Sequence, residues 1–527
     1  MASKEELGFS GMRAFFWPVH RYELKKFLPL LLMFFLFYFD YNVLRTLKDT
    51  LLVTAKFSGA EVIPFVKVWV MFPGSVLMAY LFTRLSNRMK AEKVFYVMIS
   101  LFLVYFFVFI FIAYPYRESC HCHEFADRLS QMLPAGGKGF VAMIRYWLFT
   151  SFYVMSELWS NIILSLLFWG FANQITRVGE AKRFYGMLGI GANFSGYIAG
   201  EFSAMCCKHQ YNSNIPYGTS SWDQTLLILV TLVILCGIIA LGLFRWMQRE
   251  VLSDTRFYSE EEKQKSDEKS TMSMRENIKI LFQSKYLFCI AIIIVAYNLI
   301  INLVEVLWKD QVCQLYPDPS SYGMYMNHVT SIIGIIATVT SFCITSNAIR
   351  KFGWTFTALI TPVILLVTSI CFFGFFFLKD SISILGILPM GMTPLAMTAF
   401  FGTVQNCLSR GAKYTVYDAT REMAFVPLDS QLKIKGKTAI DGVCNRFGKS
   451  SGAVIHQGLL LIFGSLAMSA PYVAVFLLAA LGIWIYAVKS LGKQFQVLTA
   501  GMTFESLSDK QEPSKKKDSY LEEQPAV

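Results

Sequence analysis

The sequence lacks most of what a soluble enzyme would need. Only 16% of its 527 residues are charged, and nothing in it resembles a nucleophile triad. The run Gly442-Val-Cys-Asn-Arg-Phe-Gly448-Lys449-Ser450 imitates a phosphate loop, but it has one residue too many between its glycines and no strand before it. ATP hydrolysis is therefore not expected. Cys120-His121-Cys122-His123 imitates a metal site, yet four consecutive residues cannot wrap one tetrahedral ion. Neither metal nor cofactor is expected. Residues 1–20 contain basic residues but lack a short apolar core with a small-residue cleavage site, so they read as neither a secretory leader nor a transit peptide. The basic residues are dispersed over loops, which excludes a nucleic-acid footprint despite the net charge of +12.

What is abundant is apolar. The chain is 55% hydrophobic, has a mean hydropathy of +0.47 and contains 47 Phe. Stretches such as 27–47, 94–114, 226–244 and 472–488 approach the ~20 residues needed to cross ~30 Å of hydrocarbon as a helix. Repeated spans in lipid must satisfy their own backbone, so the expected fold is an all-α helical bundle embedded in the bilayer. Twelve spans are expected, at roughly 27–47, 61–83, 94–115, 142–172, 184–205, 225–247, 285–308, 325–348, 356–378, 384–408, 440–464 and 471–491. Basic residues collect in alternate loops (Arg84, Arg88, Lys90 and Lys93; Arg177, Lys182 and Arg183; Arg350 and Lys351; Arg410 to Lys437), which places both termini in the cytoplasm. The charged run SEEEKQKSDEKS interrupts the pattern halfway. The expected units are a first half at 1–248, a linker at 249–284, a second half at 285–491 and a tail at 492–527 whose end has a disordered composition.

Against this background four charges stand where hydrocarbon should exclude them: Lys48, Glu157, Glu305 and Lys449. Each costs about 2.5–3.5 kcal/mol at the bilayer centre, on the order of 10 kcal/mol together, which is tolerated where they line a watered cavity and hold a charged ligand. Arg45 and Lys48 lie three apart on span 1, as do Arg446 and Lys449 on span 11, so each pair shares a helix face. A planar Arg fork and a compact Lys charge in each pair suit a polyanion bearing several phosphates. Snorkelling of Lys48 and Arg446 to the membrane surfaces is the competing explanation. Glu157 and Glu305 fit four roles: counter-charges to the cations of an empty site, proton carriers, acceptors from a base's exocyclic amine, or halves of a structural ion pair. Asn193 and Asn302 are candidates for hydrogen bonds to a ligand or between helices. Tyr41, Tyr153 and Tyr185 are candidates for stacking on a base. Of the 11 Cys, those in apolar runs read as small hydrophobes, and a disulfide from the outer 120–122 loop to Cys206 or Cys207 fits better than a metal there.

The two halves carry related segments. Asn42-Val-Leu-Arg-Thr-Leu closes span 1 and Asn302-Leu-Val-Glu-Val-Leu closes span 7, with Lys48-Asp49 and Lys309-Asp310 just beyond. Gly191-Ala-Asn193-Phe-Ser-Gly196 in span 5 matches Phe447-Gly-Lys449-Ser-Ser-Gly452 in span 11 in position. Parallel six-helix repeats around a midplane site are a major-facilitator-like architecture. The loop Leu81-Phe-Thr-Arg84-Leu-Ser-Asn-Arg88 resembles the basic signature of that superfamily.

Leu44-Arg-Thr-Leu-Lys-Asp-Thr50, Glu157-Leu-Trp159, Phe168-Trp-Gly-Phe-Ala-Asn-Gln174, Ala181-Lys-Arg-Phe-Tyr185, Asn302-Leu-Val-Glu305, Lys435-Gly-Lys437 and Gly448-Lys-Ser-Ser-Gly452 together resemble the ATP:ADP antiporter family of chlamydiae, rickettsiae and plastids. The resemblance runs through every span. It implies exchange of external ATP for internal ADP without hydrolysis, with proton-coupled import of several nucleotides as the alternative. ATP and ADP are the implied substrates and phosphate an implied co-substrate. The family's transport-critical charges fall on Lys48, Glu157, Glu305 and Lys449. The implied location is the cytoplasmic membrane of an intracellular bacterium, and a monomer is expected.

Overall fold

The computed structural model describes residues 19–252, 284–343, 345–385, 392–428 and 444–518, with isolated positions from 432 to 440. Most of the expected middle linker, and the end of the tail from 519, lie outside the described residues. Among the described residues the secondary structure is helical and no strand occurs. Eight helices are long and apolar enough to cross a membrane: α1 (Arg21–Val53), α2 (Val62–Arg88), α3 (Ala91–Ala113), α4 (Trp147–Ile175), α6 (Ser221–Val251), α7 (Lys285–Leu315), α9 (Gly353–Leu378) and α12 (Leu466–Thr499). Four more helices coincide with the remaining expected spans: α5 (Val178–Cys207), α8 (Pro319–Cys343), α10 (Pro394–Ala412) and α11 (Asn445–Phe463). Along α5, α10 and α11 glycines, hydroxyls and charges replace hydrocarbon.

Local chemistry sets the helix ends. Ser220 caps α6 by accepting from the Asp223 amide at 3.2 Å, Ser284 caps α7, and Thr393 caps α10 just before Pro394. Gly464, at φ 78°, ends α11 in the left-handed region, where a side chain would be strained. Gly353, at φ 77°, breaks the chain between the preceding basic turn and α9. The fourth expected span begins later than its apolar run, because Tyr146 leaves the helical region and separates a short helix, Lys138–Arg145, from α4. At the other end, the α12 helix continues to Asp518, past the expected boundary at 491 and into the segment of disordered composition. Lys, Gln and Glu are good helix formers and prolong a helix already nucleated by its packed part.

The halves repeat each other. Helix α1 packs on α4, α5 and α6, and α7 packs on α10, α11 and α12, the same partners six helices later. Lipid offers no hydrophobic drive between helices, so association rests on close packing. The phenylalanines supply it in the first half. Phe34 of α1 stacks on Phe168 of α4 at 4.2 Å, and Phe95 of α3 stacks on Phe244 of α6 at 3.8 Å. In the second half Tyr297 of α7 stacks on Tyr417 at 4.5 Å, with Trp484 of α12 edge-on to both.

Two seams join the halves. Helix α5 runs against α8, where a Cβ on Gly334 would meet the backbone of Asn193, Gly196 and Tyr197. The start of α2 packs on α11. The fold therefore leaves α1, α4, α7, α10 and α11 to bring polar side chains toward the middle.

Candidate functional site

Two matching helices supply the centre. Helix α1 contributes Arg45, Lys48 and Asp49, and α7 contributes Asn302, Glu305 and Lys309. The charges form a continuous ladder. Glu157 Oε1 lies 2.9 Å from Lys48 Nζ, and Lys48 Nζ lies 2.9 Å from Asp49 Oδ1. Asp49 Oδ2 lies 2.8 Å from Lys309 Nζ, which lies 3.1 Å from Glu305 Oε1. Arg410 Nη2 of α10 completes the ladder at 3.3 Å from Glu305 Oε1. Three carboxylates alternate with three cations, so the ladder is neutral as a whole. Its middle is dry: Lys48 and Lys309 are 3% exposed and Asp49 1%. Its first end is wet, with Glu157 32% exposed.

A second set of cations lies beside the ladder without such compensation. Lys67 of α2 donates to Asn302 Oδ1 at 2.6 Å, so α2 reaches across to α7 through an amide and not a carboxylate. Arg45, Arg446 and Lys449 have no carboxylate within ion-pair distance among the described residues. Lys449 and Arg446 are solvent-exposed, although Lys449 lies within electrostatic range of Glu157, Lys413 and Tyr414. Solvent exposure amid side chains of both halves marks a water-accessible cavity between them. Lys413 is held by Asp418 at 3.0 Å and lies over the ring of the exposed Tyr414.

The backbone contributes to this geometry. The segments Lys67–Met71, Ser160–Phe168 and Lys413–Tyr417 are π-helical. The first begins on a site cation, the second starts just after Glu157, and the third begins three residues after Arg410. A wider turn inserts a residue and rotates the rest of the helix about its axis, and such turns recur at functional sites.

The structure thus brings Lys48, Glu157, Glu305 and Asn302 into one connected site with Lys449 on its cavity side. Lys48 does not snorkel outward, because two carboxylates hold it inside and its ammonium sits 3.8 Å from the Tyr153 ring centre. Tyr153 is therefore committed to that contact and fully buried, and Tyr185 donates to Asn173 at the far end of α4. Tyr41 is half-buried, edge-on to Tyr38 and within electrostatic range of Arg45, Tyr414 and Glu157. Asn193 stands apart: it donates to Ser341 at 3.4 Å in the α5–α8 seam. The disulfide preferred over a metal for the 120–122 loop does not form. Cys120, Cys122, Cys206 and Cys207 are free thiols, and the last two are buried beneath the helix ends. No cluster of three or more metal-ligating side chains occurs among the described residues.

Sequence reasoning missed Asp49, Lys309, Lys67 and Arg410. The first two are legible only as marks of the internal repeat, and Arg410 as a loop cation. Lys67 is open to the same burial-cost argument as Lys48, since it interrupts the apolar run of span 2.

A protein-family profile described as TLC ATP/ADP transporter matches residues 2–495. The chain belongs to that family. It is 43% identical over 501 residues to ADP,ATP carrier protein 1 of Chlamydia muridarum, covering 95% of this chain and 94% of that protein. It is 42% identical over 479 residues to the chloroplastic ADP,ATP carrier protein 2 of Arabidopsis thaliana, covering 90% and 75% respectively. In shape it is similar to a D-xylose–proton symporter, with a TM-score of 0.52 at 11% sequence identity, covering 89% of this chain and 97% of that one. The fold is major-facilitator-like, and the family is one of multi-pass membrane transporters, not enzymes.

Proposed function

We propose that the chain exchanges external ATP for internal ADP by alternating access, without hydrolysis. The observation that carries this reading is the surplus of cations from both halves (Arg45, Lys67, Arg446 and Lys449) around a water-accessible cavity beside a ladder that is already neutral. Phosphate oxygens accept charge-assisted hydrogen bonds from such groups, the Arg forks fixing orientation and the Lys ammoniums adding point charge. A nucleotide polyphosphate supplies the anion that the cavity lacks. Within this reading Lys48, Glu157, Glu305 and Lys449 are the transport residues, with Arg45, Arg446 and Asn302 as further contacts and Asn193 as a support in the α5–α8 seam. Free phosphate is a candidate co-substrate, because the same cations accept it.

The exchange moves unequal charge, since ATP is more negative than ADP. One elementary charge across 100 mV is worth about 2.3 kcal/mol, so nucleotide gradients set the direction. The proposed arrangement is a monomer of twelve spanning helices, halves at 1–248 and 285–491, in the cytoplasmic membrane of an intracellular bacterium with both termini inside. The alternating basic loops support that orientation.

Uptake of labelled ATP into vesicles tests the reading. Exchange requires ADP inside the vesicle and proceeds without a pH gradient. The accessible carboxylate of Glu157 favours a second reading, a proton-coupled importer, in which a pH gradient alone drives uptake into empty vesicles. Binding of ATP with no uptake under either condition would discard both.

A further inference from the structure

We propose that Lys309 is a further cargo-binding cation and that Asp49 is its internal place-holder, a carboxylate that holds the outer side shut until a phosphate group replaces it. The proposal rests on the exchange reading above for the identity of the cargo, while the latch itself rests on geometry alone.

Among the described residues, Asp49–Lys309 is the one buried ion pair between a carboxylate and a lysine or arginine that crosses from the first half to the second. The other crossing pair, His328 with Glu201, is half-exposed at 3.7 Å. Asp49 serves two lysines at once, Lys48 at 2.9 Å through one oxygen and Lys309 at 2.8 Å through the other. Two ammoniums converging on one small anion is also the arrangement that would bind a phosphate group through two of its oxygens.

The position gives the pair its consequence. The same two helices end a few residues further on at an outer cavity of about 300 Å³, lined by Thr54 and Lys56 from the first half and by Asp318 and Ser320 from the second. On the other side of the pair lies the central cavity with Glu157 and Lys449. The ladder is thus the floor between an outer vestibule and the cargo site. Parting the halves there would pull the first-half set Glu157, Lys48 and Asp49, with one negative charge in excess, from the second-half set Lys309, Glu305 and Arg410, with one positive charge in excess, in a dry site, which is unfavourable. A bound polyphosphate removes the obstacle by giving Lys309 and Lys48 new acceptors, and Asp49 then turns into the water of the opening vestibule. An empty carrier has no substitute anion and stays shut, which makes exchange obligatory.

A native reporter sits at the same seam, because the Cys313 thiol of α7 contacts the Val53 carbonyl of α1 at 3.7 Å. The test uses the full chain in vesicles loaded with labelled ADP, with net efflux into nucleotide-free medium measured beside exchange against external ATP. Labelling of Cys313 by an impermeant maleimide added outside is read by peptide mass. In the wild type, net efflux and Cys313 labelling are low, and external ATP speeds the labelling. Asp49→Asn is expected to raise net efflux relative to exchange, and Cys313 labelling, by about tenfold or more. Lys309→Gln, which removes the same crossing pair from the other side, is expected to raise both in the same direction. Wild-type leak and labelling in Asp49→Asn, or in Lys309→Gln, would overturn the proposal. A wild type that exchanges no ADP for ATP, but whose labelling responds to Asp49→Asn, leaves the latch standing and removes the exchange reading instead.

Discussion

Lys67 of α2 donates a 2.6 Å hydrogen bond to the side-chain oxygen of Asn302 on α7, so the halves meet at the centre through a cation with a neutral partner. Such a bond yields readily to an anion. Lys67→Ala is expected to raise the KM for ATP about 10- to 100-fold, the range for losing one hydrogen bond to a charged group. Lys67→Arg retains more uptake than Lys67→Ala. Initial uptake rates over a range of ATP concentrations measure both. An unchanged KM in Lys67→Ala would remove this residue from the site.

Lys48 and Lys449 should fail in different ways. Lys449 has no carboxylate partner among the described residues, so Lys449→Ala lowers exchange and leaves thermal stability near wild type. Lys48→Ala leaves Glu157 without its ammonium and Asp49 with Lys309 alone, and removing one member of a buried pair costs about 3–5 kcal/mol, so it lowers both exchange and Tm. Uptake assays with thermal unfolding in detergent separate the two. Wild-type exchange in both variants would remove the proposed site.

The α5–α8 seam is structural. A Cβ on Gly334 meets the α5 backbone, and Asn193 donates to Ser341 across the same interface. Gly334→Val is expected to lower Tm clearly, since backbone cannot yield as a side chain can. Asn193→Ala costs about 0.6–2 kcal/mol, the range for an interhelical hydrogen bond in a membrane bundle. Its KM for ATP stays within about twofold of wild type, well below the tenfold that 1.4 kcal/mol of cargo binding would give. A large KM change in Asn193→Ala would instead make it a cargo contact.

His121 lies outside the spans, buried against Tyr146 and Phe149 with neither ring nitrogen hydrogen-bonded. Burial first, and then the neighbouring His123, push its pKa down to about 4, below the 6.5 of a free imidazole. The unfolded chain therefore takes up a proton that the native chain refuses. Stability is full above pH 6.5 and falls as the pH drops from there through 4, by up to roughly 3 kcal/mol. His121→Phe, which cannot titrate, should flatten that decline in Tm measured from pH 7 to pH 4.5. An equal decline in the variant would place the effect elsewhere.

Much of this molecule is legible because lipid simplifies sequence. Apolar runs mark the spans, and the cost of burying charge singles out Lys48, Glu157, Glu305 and Lys449. The same cost bears on Lys67, but one charge near the start of a long apolar run looks like an interfacial residue. Asp49 and Lys309 escape for a different reason. Their meaning lies in a contact across 260 residues of sequence, and each sits beside another charge that makes the pair look like the polar end of a helix. Spacing along one helix gives the face a residue shares, not the partner facing it. The choice of a disulfide over a metal for the 120–122 loop meets the same limit, as proximity of loops in a topology diagram does not bring Cys120 or Cys122 to the buried Cys206 and Cys207.

The low hydropathy of α5, α10 and α11 has a consequence for how the protein is made. Each of them is next in sequence to a strongly apolar one: α5 precedes α6, α10 follows α9, and α11 precedes α12. A segment carrying Arg410 or Lys449 is poorly recognised by the insertion machinery when offered by itself. Entry as an antiparallel hairpin with its greasy neighbour lets the stronger helix carry the weaker one into the bilayer. Biogenesis of the second half would then include two such two-helix steps, and a cut between α11 and α12 would leave α11 outside the bilayer.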